Sequence, residues 1–326
     1  MPYPTLDQLA DDIRELRPLN PVAQRIIALA EDERFSAHEL AAGIASDAAL
    51  TARMLRLANS AYYGFPRKIA TVRDSVVLIG FRAVRASAVA ATIVDLFPNQ
   101  GSSRFDADLF WAHCVACGSI AEALAKATKQ ARPDEAFTAG ILHDIGRLVL
   151  VQYVPESFDK ALSMAVERGA PLEAMESEVF GYDHAELGAA LCLRWNLPAE
   201  ICAAIADHHD LSTDPAEAPL TYVLSQSNQF CQTAELWCGL DTEEGRRVYG
   251  DPALAGAESA AGVKTAAFVE NELGGIAGLE ARIWEFLTNS SDRAPRWYTP
   301  VVTPGDDGIV TASDPADRPE DREAVA

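Results

Sequence analysis

Hydrophobic residues recur every three or four positions along most of this chain, which is the spacing of one face of an α-helix. Leu50, Met54 and Leu57 form one such stripe, and Leu109, His113 and Cys117 begin another. No stretch alternates apolar and polar residues convincingly enough to predict a strand. The pattern therefore predicts an all-α protein. Helices are expected at 21–30, 74–79, 82–96, 107–128, 134–151, 156–168, 171–179, 184–195, 198–209, 219–237, 264–273 and 277–288, and after Ser36 and Asp47.

Three of these helices carry a signal for their first residue. Asp47 is of the type that accepts a hydrogen bond from the free N–H groups of a first helical turn. Ser36 with Glu39, and Asp183 with Glu186, have the spacing of a capping box. We therefore expect helices to begin directly after Ser36, Asp47 and Asp183.

Turn-rich stretches predict how the helices are grouped. A break at 98–104 separates an N-terminal helical lobe, residues 1–100, from a second helical lobe, residues 101–245. A weaker helical pattern predicts a C-terminal extension over 246–290. From Thr303 onward the chain carries seven acidic and two basic residues among prolines and glycines, so we expect 291–326 to form an acidic, disordered tail.

The composition narrows the function classes. The net charge of −21 argues against direct binding to nucleic-acid backbones. No run approaches the roughly 18 uncharged apolar residues that a membrane span needs, and the first residues lack a signal-peptide pattern. We therefore expect a cytoplasmic protein that does not enter a membrane.

The charge is uneven, because residues 51–90 carry seven basic side chains and one acidic one. Such a segment is suited to an acidic partner protein or a small anion, and aromatic and arginine side chains often dominate interfaces. Two alternatives stay open: the protein's own carboxylates neutralise this face, and the tyrosines pack in the core. The candidate partner surface comprises Arg53, Arg56, Tyr62, Tyr63, Arg82 and Arg85.

Five of the six histidines occur at positions suited to a metal site built from helices. His113 and His184 each share a face with apolar residues, which predicts that both point inward. Asp144 follows His143 among apolar neighbours, and a buried carboxylate is costly unless it is paired or ligated. An isolated inward histidine is usually a core residue, but three of them with a buried aspartate and the His208-His209 pair favour a metal site, present or former.

These histidines, in this order on helices, resemble those of the HD superfamily of metal-dependent phosphohydrolases. Residues 46–64 and 78–82 in the N-terminal half are similar to the HDOD family, and so are residues 139–146 and 180–188. The resemblance extends over residues 15–235 and implies a bilobed helical bundle, an HDOD N-terminal lobe plus an HD-like lobe. It also implies a role in bacterial signalling, and many members of the family are thought to be non-catalytic.

The resemblance further implies a ligand set, from which the sequence departs at one position, and two further departures bear on the substrate. A last carboxylate normally follows the histidine pair, and the residue aligned with it is Asn228, which would weaken a dinuclear site. The Gly-Tyr-Pro signature of cyclic-di-GMP-cleaving relatives is absent, and Arg147 stands where those relatives have lysine. A nitrogen-rich set favours a divalent transition metal, iron, manganese or zinc. The implied ligands are His113, His143, Asp144, His184, His208, His209 and Asn228.

Two classes of function remain. In the first, the protein is a non-catalytic signalling scaffold that binds partner proteins and holds a ligand or a structural ion. In the second, it is a metal-dependent phosphohydrolase of a nucleotide or another phosphate ester, with Asp144 catalytic and Arg147 positioning the phosphate. A third interpretation, a redox module, rests only on the Cys-x-x-Cys spacing of Cys114 and Cys117.

Overall fold

The fold is all-α, as the periodicity predicts. The structure is a computed structural model and describes residues 4–16, 19, 21–28, 37–59, 63–94, 96–97, 105–234, 269–287, 300–301 and 311–312. None of the helices in these ranges has the length and apolarity needed to cross a membrane. The helices are α1 (Leu6–Leu16), α2 (Pro21–Ala28), α3 (Ala37–Ala45), α4 (Ala48–Ala58), α5 (Val72–Leu78), α6 (Phe81–Val94), α7 (Ala107–Thr128), α8 (Pro133–Leu142), α9 (Ile145–Tyr153), α10 (Pro155–Arg168), α11 (Leu172–Phe180), α12 (His184–Arg194), α13 (Ala199–Ala206), α14 (Pro219–Thr233) and α15 (Gly275–Leu287).

Helices α2 to α6 pack on one another and form the N-terminal group. The stripe predicted on α4 is buried, with Leu50, Met54 and Leu57 each at most 4% exposed. Asp47 caps α4 by accepting a hydrogen bond from the backbone N–H of Leu50 at 3.0 Å, so this predicted cap is confirmed. Ser36, the other cap predicted in this half, lies outside the described residues.

Helices α7 to α14 form the second group, in which α7 packs on α8 and α14, and α12 packs on α9 and α13. Asp183 and Glu186 form the capping box predicted at the start of α12. Helix α1 also packs on α12, where Arg194 donates hydrogen bonds to Asp7 and Asp11 at 2.7 Å. The first helix of the chain thus lies on the second group, across the predicted division at residue 100.

Two predicted helices end earlier than the periodicity suggests. The helix predicted at 134–151 is divided into α8 and α9, because Asp144 leaves helical geometry with φ −98° and ψ 8°. Helix α13 ends at Ala206 rather than at 209, and the His208-His209 pair lies in the turn that follows it. In a continuous helix, successive residues point in different directions. The two breaks allow neighbouring polar residues, His143 with Asp144 and His208 with His209, to face the same candidate site.

The described part of the C-terminal region comprises helical residues 269–273, which belong to the helix predicted at 264–273, followed by α15 and two short strands. Helix α15 packs on α7 and α4, and its Arg282 pairs with Glu122 of α7. Strands β1 (Pro300–Val301) and β2 (Thr311–Ala312) pair antiparallel, which the sequence pattern did not predict. The break predicted at 98–104 and most of the predicted acidic tail lie outside the described residues.

Close contacts between helix backbones bring the site helices together. A Cβ atom on Gly140 of α8 would lie 2.6 Å from the backbone nitrogen of Gly118 on α7. A Cβ atom on Gly146 of α9 would overlap the carbonyl oxygen of His184 and lie 2.7 Å from the nitrogen of Gly188, both on α12. Only residues without a side chain allow these two helix pairs to approach so closely.

We expect Gly146→Ala to lower the free energy of unfolding by about 1–3 kcal/mol, because backbone atoms of α12 must move to admit the methyl group. The matched control is Gly43→Ala in α3, where a Cβ atom meets nothing within 4 Å. It should be neutral or stabilising by up to about 1 kcal/mol. Chemical denaturation of the two variants measures the difference, and equal stability would contradict the tight α9–α12 contact.

Candidate metal centre

A first group of three ligand atoms lies where α7 meets the turn between α8 and α9. The Nε2 atoms of His113 and His143 are 3.2 Å apart. Oδ2 of Asp144 lies 3.4 Å from Nε2 of His143 and 3.7 Å from Nε2 of His113. All three side chains are buried, as the sequence predicts.

A second group lies on the other side of the same carboxylate. It comprises His184 at the start of α12 and the two histidines that follow α13. The Nε2 atoms of His184 and His209 are 2.9 Å apart. Oδ1 of Asp144 lies 3.2 Å from Nε2 of His184 and 3.5 Å from Nε2 of His208. The two oxygens of Asp144 therefore face different histidine groups.

Arg147 reaches the same carboxylate from the first turn of α9. Its Nη1 donates a hydrogen bond to Oδ2 of Asp144 at 2.6 Å, and its Nη2 lies 2.9 Å from Nε2 of His184. The side chain is fully buried. The guanidinium thus contacts the carboxylate that the two histidine groups share, and it also contacts a ligand atom of the second group. It does not point towards solvent.

The other ring nitrogens of three histidines are held by the protein. Nδ1 of His143 donates to the carbonyl oxygen of Gly140, and Nδ1 of His208 donates to that of Ile205, both at 2.7 Å. Nδ1 of His184 donates to Oε2 of Glu176 at 2.5 Å. Such contacts fix the ring so that Nε2 faces the site, an arrangement usual for metal-binding histidines.

Glu176 was not predicted from the sequence. It lies on α11, is fully buried, and also accepts a hydrogen bond from the backbone N–H of His184 at 2.9 Å. Its spacing from Leu172 and Val179 places it on the apolar face of α11, which is the signal that could have identified it. Glu176 positions His184 and adds a second buried negative charge beside the site.

Burial and neighbouring charges set the protonation of the site. Burial alone would raise the pKa of Asp144, but Arg147 and His143 outweigh it and hold the pKa well below its usual range. Burial lowers the pKa of His208 to about 4 and that of His209 well below its usual range. Burial and Arg147 oppose protonation of His184, but Glu176 and Asp144 raise its pKa to about 10. Asp144 is therefore an anion near pH 7, and His208 and His209 are neutral.

The distances fit a metal ion. Two ligand atoms held about 2.1 Å from one ion lie roughly 3.0–3.4 Å apart, and the quoted separations of 2.9–3.7 Å lie in or close to that interval. The donors of each group lie within 4.8 Å of one another. Nε2 of His208 is buried and makes no hydrogen bond within the described chain, as expected for an atom that faces an ion. Imidazole nitrogens with a shared carboxylate suit a divalent transition metal.

Asn228 lies on α14, which packs on α7 and α8. The residue is 2% exposed, and its Oδ1 accepts no hydrogen bond within the described part of the chain. Five further polar residues of α14, namely Thr221, Ser225, Gln226, Ser227 and Gln229, are also buried. The buried side of α14 is therefore polar, and Asn228 as a ligand stays a prediction.

The predicted partner surface is only partly exposed. Arg53 is 2% exposed and donates from Nη1 to the carbonyl oxygen of Ala91 at 2.9 Å, so it belongs to the interior. Arg56 and Arg85 are half-buried, and Arg85 lies 3.8 Å from Asp134. Tyr63 is half-buried and stacks on Phe65, whereas Tyr62 lies outside the described residues. Of the six residues, Arg82 is the one that the described structure exposes.

The cysteines do not support a redox module. Cys114 and Cys117 lie in the middle of α7 and are fully buried. Burial and the neighbouring Cys231 raise the pKa of Cys117 well above its usual range. A protonated, inaccessible thiol is unreactive towards thiol–disulfide exchange.

Comparison with known proteins identifies the family of this chain. A model of the HDOD domain matches residues 16–211. An uncharacterised protein of Treponema pallidum (strain Nichols) is 28% identical over 222 residues, which are 68% of this chain and 43% of that protein. The chain thus corresponds to less than half the length of this relative.

Solved structures share the fold. An HDOD domain protein of unknown function from Geobacter sulfurreducens is 25% identical, with a TM-score of 0.67 over 86% of this chain and 97% of that one. A protein from Shewanella amazonensis SB2B, named as a candidate phosphohydrolase, is 26% identical, with a TM-score of 0.65 over 85% and 97%.

We expect the metal-free protein to lose stability as the pH falls from about 6.5 to about 4. Burial holds the pKa of His208 at about 4, below its ordinary 6.5, so the unfolded chain binds more protons in this interval. His208→Gln should reduce the slope of unfolding free energy against pH by up to about 1.4 kcal/mol per unit. Denaturation in the presence of a chelator measures it, and an unchanged slope would mean that His208 titrates normally.

Proposed function

We propose that this chain, which belongs to the HDOD domain family, is a non-catalytic signalling scaffold. Its second helical group would hold a divalent transition-metal ion. Iron, manganese and zinc are the candidates, since most of the donors are imidazole nitrogens. When bound, such an ion supplies positive charge and a fixed geometry that ties together the segments whose side chains bind it.

The closure of the site carries this proposal. His113, His143, Asp144, Arg147, His184 and His208 are each at most 1% exposed. Structural metal sites are closed by protein ligands, whereas catalytic sites keep one position open to water or substrate. Within the cluster His209 alone is partly exposed, so a phosphate ester has little access to the buried donors.

The engagement of Arg147 supports the same conclusion. A residue that positions a substrate phosphate must direct its N–H groups at the place where the phosphate binds. Arg147 instead directs Nη1 at Asp144 and places Nη2 against His184. Releasing it would leave the buried carboxylate of Asp144 without its closest cationic partner, which is costly.

A phosphohydrolase of a nucleotide or another phosphate ester is the second candidate function. Two observations favour it: the two donor groups share Asp144, as ligands of a pair of ions would, and a relative that is 26% identical is named as a candidate phosphohydrolase. In this case the two donor groups, which share Asp144, would hold two metal ions, and His209 would lie at the entrance to the site.

The first test is metal content, measured by mass spectrometry on untagged protein. We expect at least one iron, manganese or zinc ion per chain, lost in His113→Gln, because the variant lacks one of the Nε2 donors. The matched control is His38→Gln, which changes the one histidine outside the cluster, exposed on α3, and should keep the ion. A saturating ion should raise the unfolding free energy by about 2.7 kcal/mol at one hundred times its Kd.

The same preparations distinguish the two candidates. The scaffold predicts no turnover of bis(4-nitrophenyl) phosphate by metal-loaded protein. Turnover that His113→Gln abolishes and His38→Gln retains would favour the phosphohydrolase. Absence of metal from the wild-type protein would contradict both.

The scaffold proposal also requires a partner surface, and the exposed residues of α5 and the start of α6 supply one. Val77 and Leu78 are 72% and 52% exposed, and Arg73 and Arg82 are exposed beside them. We refer to these four residues as the α5–α6 surface. Exposed apolar side chains flanked by arginines suit a partner protein with an acidic rim around an apolar contact.

We expect the double variant Leu78→Asp, Arg82→Glu to lose a partner that cross-linking to the wild-type chain identifies in extracts of the source cells. Introduced negative charge repels an acidic rim and removes an apolar contact. Leu193→Asp is the control, because Leu193 is 57% exposed on α12, away from this surface. Equal capture by all three proteins, with unchanged melting temperatures, would exclude the α5–α6 surface.

A further inference from the structure

We infer that Arg147 takes the place of a second metal ion, so that the pocket holds one ion and not two. This inference rests on the proposed metal site and goes beyond it, because it assigns the number and position of the ion. The observation behind it is the placement of one guanidinium among donors that otherwise form two groups.

The second group is the one that Arg147 occupies. Nη2 of Arg147 lies 2.9 Å from Nε2 of His184, the nitrogen that would face an ion there. Glu176 accepts from Nδ1 of the same ring, so Nε2 is the only nitrogen of His184 that can face the site. Nη2 of Arg147 therefore stands where an ion bound to this nitrogen would lie, and such an ion would have to displace the guanidinium.

The first group keeps its donors. The Nε2 atoms of His113 and His143 face each other at 3.2 Å, and Gly140 holds the opposite nitrogen of His143. Oδ2 of Asp144 accepts the hydrogen bond from Arg147 and also lies 3.4 Å from Nε2 of His143 and 3.7 Å from Nε2 of His113, so it is placed to contact the same ion as these two rings. The ion therefore lies between His113, His143 and Asp144.

The net charge of the site also favours one ion over two. Asp144 and Glu176 are the two buried acidic side chains at the site, and Arg147 neutralises one of them. One dication with this arginine leaves a small net positive charge, whereas two dications beside a buried guanidinium leave a large one. Like charges a few ångströms apart in a low-dielectric interior repel strongly. The arginine thus acts as a fixed cation that the sequence supplies.

Counting ions tests the inference. Native mass spectrometry and electron paramagnetic resonance with excess Mn²⁺ should show one isolated ion per wild-type chain. Arg147→Gln should bind two ions, and their magnetic coupling should broaden the spectrum, because both groups are then available. Arg168→Gln removes an exposed arginine–carboxylate pair, with Glu178, outside the site, and this variant should still bind one ion.

A second pair of variants locates the ion in case Arg147→Gln does not fold. His209→Gln should keep the single ion, and His113→Gln should lose it. Two ions in the wild-type chain, or loss of the ion in His209→Gln, would overturn the inference and leave the proposed metal site standing. No ion in the wild-type chain would overturn the metal site itself. A folded Arg147→Gln that binds one ion or none would show that Arg147 does not exclude the second.

Discussion

The buried carboxylate of Asp144 is the constraint on which the rest of the second helical group depends. A charge at the centre of a helical core is costly unless several partners surround it. Asp144 is partnered by the guanidinium of Arg147 and by imidazoles on both oxygens, supplied by α7, the turn before α9, the start of α12 and the turn after α13. Each of these segments must therefore end or bend at the right point, which explains why α8 and α13 stop where they do. Truncation of Asp144 would leave a buried guanidinium without its counter-charge.

Convergence of this kind needs close helix spacing as well as polar partners. Gly118 and Gly140 bring α7 and α8 together beneath His113 and His143, and Gly146 brings α9 against the first turn of α12. The second contact places Arg147, the next residue, within reach of His184. A backbone that fixes these distances before any ligand arrives gives a preorganised site, which costs less on binding than one that must assemble. The same rigidity favours a structural role over a site that opens in each turnover.

The spacing of hydrophobic residues could predict the helices and most residues of the candidate site. It could not predict how those residues are arranged relative to one another. The inward faces of α7 and α12 and the cost of a buried Asp144 are properties of short windows, and the structure confirms them. The break at Asp144 is invisible to periodicity, because His143 and Asp144 fit a continuous helix. Arg53 looked like a surface arginine since it lies off the stripe of α4, but α6 covers it. Glutamate is usually a surface residue, and the burial of Glu176 is explained only by its partner His184, which lies eight residues later in the sequence.

Helix α8 extends from the candidate metal centre to the helix that carries part of the candidate partner surface. It begins beside Arg85 of α6, which lies 3.8 Å from Asp134, and it ends at His143. Helix α6 packs along α8, and the exposed Arg82 lies one turn before Arg85. Packed helices shift as units, because interiors resist local compression. A change at His143 that moves α8 must therefore displace α6 or break its contacts. Helix packing thus runs without interruption from His143 through α8 to α6, and so from the candidate site to Arg82.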